Sequence, residues 1–558
     1  MECIGAKFFS MPKLLLSFNV KTKTIDSKMV SFTSFSPQKF TGAIDDLALK
    51  HLLKRTLLGF TIGEFKKFKS RSLTSIIDEL VAPNPTPPPP VNFYESVQKD
   101  TTGVALGSTW VNATYGDGNI NFRRRQSLRA WWLDQMLFQK NSIEEKMILF
   151  WHNHFATEIS AYDDARYGFK HHSVMRKFAL GNFKDFVKAI SIDPAMLVYL
   201  NGIRNSKTAP DENYARELQE LFTIGKGPNS KYTEDDVKSA AKVLTGYRVT
   251  RDTQVTTFAD GSHDTTDKVF SAFYGGKIIK GRTGQDGQKE LDDLLAMIFQ
   301  QQEVSLFMVR KLYTFFFHYD ITEEAETQFI APLAKIFRDS NYEMIPLLKA
   351  MFSSIHFFDP ELRGAIIKSP IDHMVGTTRL LEPVWPSKTD ALYEYYLFGN
   401  DLLGASDRSQ QVLGDPPNVA GWPAYYQAPV FHEIWINTTT FPERVKFTES
   451  FVKNGYTRSG KTVKVDLMNF IKKLDNPQDP NKLLNELDFW FFQTPISQTL
   501  KNQLKTDILL AGQASDYYWT DLWQEFLTKP TTSNTNLVTT RLRSLFVYLL
   551  SLPEFQLS

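Results

Sequence analysis

The sequence predicts a mainly α-helical, multi-helix globular assembly that carries a small β-hairpin insertion. Three observations predict it. Apolar residues recur at helical spacing in segment after segment from residue 47 onward. Alternating and β-branched stretches are confined to about residues 246–282, far too little strand for a parallel sheet. The 558 residues exceed what one hydrophobic core usually supports, so several packed units are expected.

Residues 1–46 read as a loosely ordered lead. Pro12 and Lys13 interrupt its apolar run and no small-residue cleavage site follows, so it is a poor export signal. Cytoplasm and periplasm both stay open. The first helix is expected in "AIDDLALKHLLKRTLLGF", where Leu47, Leu49, Leu52, Leu53 and Leu57 recur and Gly59 suits the end. A second follows in "SLTSIIDELV". "APNPTPPPP" then has five prolines in its last six residues, a stiff polyproline strap. "TTGVALGSTWVNATYGDGNIN" is a long Gly-rich loop, a length often associated with function.

Helices resume in "RRRQSLRAWWLDQML", with Leu128, Trp131, Trp132 and Met136 on one broad face. "NSIEEKMILFWHNHF" opens with Ser142 and Glu145 at capping-box spacing, and residues 147–151 are all apolar, as in a buried helix. "SVMRKFALGNFKDFVKAISIDPAMLVYLNG" reads as helix, break at Gly181, helix, and a shorter helix after Pro194. "DENYARELQELFTIG" ends at Gly225, and "YTEDDVKSAAKVLTGY" starts with Thr233 as cap and Asp236 three residues on. After the hairpin insertion, helices continue from 288, "DPPNVAGWPAYYQAP" forms a loop, and the tail is helical again. Residues 47–445 thus form a helical core, with 446–558 a C-terminal helical region packed on it.

Composition narrows the function. Sixty-four basic and 62 acidic residues leave a net charge of +2, with no general drive toward nucleic acid. The single cysteine, Cys3, rules out an intramolecular disulfide and a Cys-based zinc site, so any bound metal uses His, Asp or Glu. No segment reaches the roughly 18 consecutive apolar residues of a transmembrane helix. No Gly-rich phosphate loop, G-x-S-x-G elbow or H-E-x-x-H motif is present.

The site candidates are His and carboxylate clusters. His152 and His154 in "FWHNHF" are two apart, so one helical face cannot present both. They are ligands where the helix ends, or core histidines tied to the backbone; the residues leave both readings open. In "DENYARELQELF", Glu217 and Glu220 share a face and Arg216 can pair with Glu220. This is a solvated charged helix, or one that turns a carboxylate toward the histidines as ligand or acid/base group. "GSHDTTDKVF" carries His263 and Asp264 in a turn, suited to a ligand or base and equally to turn chemistry. One of His171 and His172 should face solvent. Arg123, Arg124, Arg125 and Arg129 form a basic cluster, best read as ion pairs or a solvated face.

In order, "FWHNHFAT", "ALGNFKDFVKAISIDPAMLVYLNG", "DENYARELQELFTIG", "YTEDDVKSAAKVLTGY", "HDTTDKVF", "KSPIDHMVGTTRLL" and "PPNVAGWP…WINTTTFPER" resemble the bacterial domain-of-unknown-function family 1800 over roughly residues 47–445. The extended segment before "RAWW" resembles its Bacteroidetes-type branch. Asp211 departs from the asparagine usual there, while Glu212, Asn213, Arg216 and Glu217 stay in pattern. The resemblance carries no reaction. It implies an envelope setting and a partner of sulfatase- or phosphatase-like fold encoded nearby. Two readings follow. One is an enzyme on an envelope-related substrate, with a divalent metal on His152, His154 and His263. Glu212, Glu217, Glu220 and Asp264 then supply carboxylate chemistry, Arg216 orients a carboxylate, and Trp151, Asn418 and Trp422 contact substrate. The other is a non-catalytic helical scaffold or accessory protein whose motifs are helix-junction chemistry.

Overall fold

The structure, a computed structural model, describes residue 32 and residues 34–558. Cys3 and the interrupted apolar run of the lead lie outside the described residues. The architecture is mainly α-helical, with three two-stranded antiparallel hairpins among the described residues. No described helix is long and apolar enough to cross a membrane.

Local signals place most helices. The helix Asp46–Thr56 starts where the Asp45 carboxylate accepts the Ala48 N–H at 2.7 Å. It buries Leu49, Leu52 and Leu53. Beyond its end, Gly59 adopts φ +77 and lies against the helix Pro370–Leu381: a Cβ there would sit 2.4 Å from the Gly376 α-carbon. Two backbones more than 300 residues apart are in contact at this point. The Gly181 break separates Ala165–Phe178 from Phe183–Ser191, the latter capped by Asn182. The box of Thr233 and Asp236 opens Glu234–Val243. The four arginines 123–129 are mostly paired: Arg124 with Asp100 deep inside, Arg125 with Asp163, Arg129 with Asp407.

The structure departs from these expectations in three places. The helix Glu144–His154 is buried along its whole length, and its expected capping box does not form. Ile143 is the cap residue; Glu145 pairs instead with Arg176 at 2.5 Å. A buried carboxyl gains more from a guanidinium than from a backbone N–H. In "DENYARELQELFTIG", the α-helix Asn213–Glu217 passes into a π-helix, Leu218–Thr223. Ile224 N–H and Gly225 N–H both bond the Gln219 carbonyl, and Gly225 takes φ +86 to leave the turn. Finally, residues 246–282 hold two hairpins, Tyr247–Thr250 with Val255–Phe258 and Lys268–Val269 with Ile278–Ile279. A third, Tyr456–Arg458 with Lys461–Val463, interrupts the tail expected to be helical. Its turn residues Ser459 and Gly460 both have positive φ, as a tight two-residue hairpin requires.

Candidate functional site

The three polar residues of "FWHNHF" project in different directions from one buried helix. His152 accepts the Gly414 N–H at Nε2, 3.2 Å away, and its ring packs edge-on against Trp132 and Trp422. Its Nδ1 is buried without a partner. Burial, with His171 nearby, drops His152 to about 3, so the ring is neutral. Asn153 accepts the Trp422 N–H at 2.8 Å, and Gly421 fits beside it only because it lacks a Cβ, which would lie 2.2 Å from Asn153 Oδ1. His154 donates from Nε2 to the Phe222 carbonyl at 3.0 Å, and its Nδ1 accepts from Lys311 Nζ at 3.0 Å. Burial and then the Lys311 charge hold His154 well below the usual imidazole range; burial alone brings Lys311 down to about 8.

The neighbouring pair is equally enclosed. His171 and His172 are each 2% exposed, so neither faces solvent as expected. His171 sits between the Asp193 carboxylate and the Phe155 carbonyl, at 3.0 and 3.1 Å. His172 lies edge-on to Trp131 and Trp132 and makes no hydrogen bond.

Phe222 belongs to the π-helix, so the histidine motif and the acidic motif meet at one bond. On the outer shoulder of that turn, Glu217 is half-buried and forms neither a hydrogen bond nor an ion pair with any described residue. Burial, then the Glu220 charge, raises its carboxyl above the ordinary range, against the pull of Lys226 and Arg216. Glu220 is ion-paired with Lys226. The expected pairing of Arg216 with Glu220 is replaced: Arg216 bonds Glu212 and Glu234. Two tyrosines flank the shoulder. Tyr199 donates to Glu158 at 2.7 Å, and burial, that bond and charges including Glu217 push its hydroxyl up. Burial, then Glu220, pushes Tyr232 up to about 12.

His263 belongs to a separate network. Its Nδ1 lies 3.0 Å from the Thr245 carbonyl and its Nε2 3.2 Å from Glu290, which also holds Lys268 at 2.6 Å. Asp264 accepts Thr266 N–H and hydroxyl; burial raises its carboxyl, but these bonds and Lys268 leave it below the usual value.

His152, His154 and His263 therefore have different partners, and Glu217 bonds none of them. Among the described residues no group of three or more His, Cys, Asp or Glu side chains is arranged to hold a metal ion. Trp151 and Trp422 are core residues; the Trp151 indole donates to the Ala179 carbonyl at 3.0 Å. Asn418 is half-buried on its loop and donates to the Tyr426 hydroxyl at 3.1 Å. Glu158, Tyr199 and Lys311 were not legible as site residues. Glu158 and Tyr199 lie at the edges of quoted motifs, but nothing local says that they face Glu217's turn.

A family model described as "Protein of unknown function (DUF1800)" matches residues 51–557, well past residue 445 and through the C-terminal helices. No curated protein and no solved structure matches the chain.

Proposed function

The chain belongs to the DUF1800 family, which assigns it no reaction, and from its side chains we propose an enzyme that hydrolyses a bond by general acid–base chemistry on the π-helical shoulder. Glu217 gives its proton to the leaving atom, and the Glu220 carboxylate takes one from the attacking water. One observation carries this: two carboxyls three residues apart have opposite surroundings, Glu217 half-buried and unpaired, Glu220 held by Lys226. Environments that push neighbouring carboxyls apart separate an acid from a base. A π-turn at this point agrees, since such turns are frequent at functional sites.

In this reading His154 positions the shoulder through the Phe222 carbonyl, and Arg216 with Glu212 braces it. A divalent metal on His152, His154 and His263 is not used. The envelope-related polymeric substrate, the sulfatase- or phosphatase-like partner and the Bacteroidetes-type branch rest on the motif resemblance.

The test is a turnover screen of the full chain against glycosidic, ester and peptide bonds, with Glu217→Gln and Glu220→Gln. General acid–base groups contribute roughly 10²–10⁴-fold, so Glu217→Gln should lose at least about 100-fold in turnover. Wild-type turnover in that variant ends the proposal. So does carboxyl-carbon NMR showing Glu217 titrating like a surface glutamate. A second reading, a non-catalytic scaffold, is favoured by His152, Asn153 and His154 all bonding the backbone of other segments. It predicts no turnover and a stability loss alone when these three are replaced.

A further inference from the structure

The acid–base reading leaves one basic group near the shoulder unused. Lys311, on the helix Gln302–Phe316, is half-buried, with its Nζ 5.0 Å from the centre of the Phe307 ring. Phe307 packs against Gly225 at the exit of the π-helix, where a Cβ would lie 2.6 Å from the ring. Among the described residues the Lys311 Nζ makes one hydrogen bond, to His154 Nδ1 at 3.0 Å.

The imidazole fixes what that bond can be. A carbonyl only accepts, so the bond to Phe222 places the His154 proton on Nε2 and leaves Nδ1 as a bare lone pair. Nδ1 therefore takes an N–H from Lys311 whether the amine is charged or neutral. A neutral amine has two N–H groups and one lone pair. With one N–H held by Nδ1, the lone pair points away from the imidazole and stays free.

The surroundings favour that neutral form. Among the described residues no ion pair reaches Lys311, and burial alone brings it down to about 8. The Phe307 face attracts a cation weakly and does not reverse this. The other lysines lowered by burial, Lys50, Lys54, Lys170 and Lys368, bond backbone carbonyls and have charged groups close by. With Lys311 at about 8, about a tenth of the chains hold a neutral amine at pH 7, against roughly one in three thousand for a lysine at 10.5.

We propose that Lys311 is a nucleophilic amine that captures a small aldehyde as a Schiff base, with His154 as its positioning residue. The Nζ lone pair attacks the carbonyl carbon, a C–N bond forms, and the C=O π pair moves to oxygen. A proton passes from nitrogen to oxygen through solvent, giving a carbinolamine. Its hydroxyl takes a second proton from solvent and leaves as water, and the nitrogen lone pair closes a C=N bond. Amine, aldehyde and one proton thus give an iminium and water, with no oxidant or reductant. The iminium keeps one N–H, which His154 Nδ1 is placed to accept, so the bond that orients the amine also holds the product. A half-buried nitrogen between two rings admits an aldehyde, with hydrogen on one side of its carbonyl, more readily than a ketone. The inference uses neither Glu217 nor Glu220 and stands apart from the acid–base reading.

The test is reductive trapping of the full chain with limiting propionaldehyde and cyanoborohydride, read by peptide mass mapping. A weaker base is a weaker nucleophile and a half-buried amine is harder to reach, so roughly tenfold of the gain in neutral amine should survive. At pH 7 Lys311 is therefore alkylated at least tenfold faster than the exposed Lys140, Lys277 and Lys529. At pH 10, where ordinary lysines also lose protons, that advantage disappears. Lys311→Arg abolishes the fast phase and leaves the exposed lysines unchanged. His154→Leu slows alkylation of Lys311 at least fivefold but leaves its pH midpoint at about 8, which a loosened fold would instead move toward the ordinary lysine range. If that variant does not fold, the wild-type maps at the two pH values decide. The proposal is overturned if Lys311 reacts no faster than the exposed lysines at pH 7, if its advantage persists undiminished at pH 10, or if folded His154→Leu reacts as fast as wild type.

Discussion

His154 fastens the π-helix to the buried helix Glu144–His154: its Nε2 proton goes to the Phe222 carbonyl at 3.0 Å while Lys311 supplies a proton to Nδ1 at the same distance. The last carbonyls of any helix lack partners within it, and here an imidazole from another helix provides one. His154→Ala leaves a buried carbonyl and a buried ammonium without partners. It is expected to cost about 2–4 kcal/mol in urea unfolding. Glutamine offers one N–H and one carbonyl, so His154→Gln should recover more than half of that loss. Equal losses for the two variants would show that ring packing, not the bonds, holds the junction.

Gly59 and Gly376 face each other, but only one of them needs to be glycine. A Cβ on Gly59 would lie 2.4 Å from the Gly376 α-carbon at a backbone φ of +77, whereas a Cβ on Gly376 would come no closer than 3.7 Å to Gly59. Gly59→Ala should destabilise by about 2–4 kcal/mol, from left-handed strain plus overlap. Gly376→Ala sits inside a helix at ordinary contact distance and should be neutral or stabilising by up to about 1 kcal/mol. Melting temperatures of the two variants decide it; comparable losses would mean that the crossing is not as tight as described.

Carboxyl-to-amide changes should separate the shoulder from the interior network. Glu217 has no partner to lose, so Glu217→Gln should leave the urea midpoint unchanged or slightly raised. Glu290 is buried between His263 and Lys268. Glu290→Gln leaves Lys268 without its buried counter-charge and should cost about 3–5 kcal/mol. A large loss in Glu217→Gln would show that this carboxyl is structural.

Acid should unfold the protein earlier than its carboxylates alone would dictate. Burial pushes eight of the ten histidines below their ordinary value. Such a ring stays neutral while folded and takes a proton once unfolded, so protons favour the unfolded chain. Their contribution is complete above about pH 6.5 and is lost as pH falls toward the folded values, about 3 for His152 and about 4 for His356 and His432. Each ring adds at most about 1.4 kcal/mol per pH unit in that window. Glu145, raised by burial to about 7, works in the opposite sense, its contribution shrinking as pH rises from about 4.5 toward 7, and so do the raised carboxyls of Glu144, Glu217 and Asp407, but they are four groups against eight. Urea midpoints between pH 7 and 4 should therefore fall steeply; a flat profile would contradict neutral buried rings.

Short-range chemistry was enough to read the helix start at Thr233, the break at Gly181, the exit at Gly225 and the mainly helical class. Caps, prolines and glycines act over three or four residues, and such windows are visible in a chain. The hairpin at residues 456–463 has a local signal too, Ser459-Gly460, set within a run of helical segments. The capping box at Ser142 was legible and did not form, because Arg176 offered Glu145 a better partner.

The residue types that matter at the candidate site were visible as well: imidazoles in "FWHNHF", carboxyls in "DENYARELQELF". Their partners were not. Phe222 lies 68 residues from His154, Gly414 262 residues from His152, and Trp422 269 residues from Asn153. No local pattern encodes contacts across such separations. Packing of the helices alone settled that the histidines of "FWHNHF" bond backbone and that Glu217 is left unpaired, because each outcome depends on which distant group burial leaves within reach.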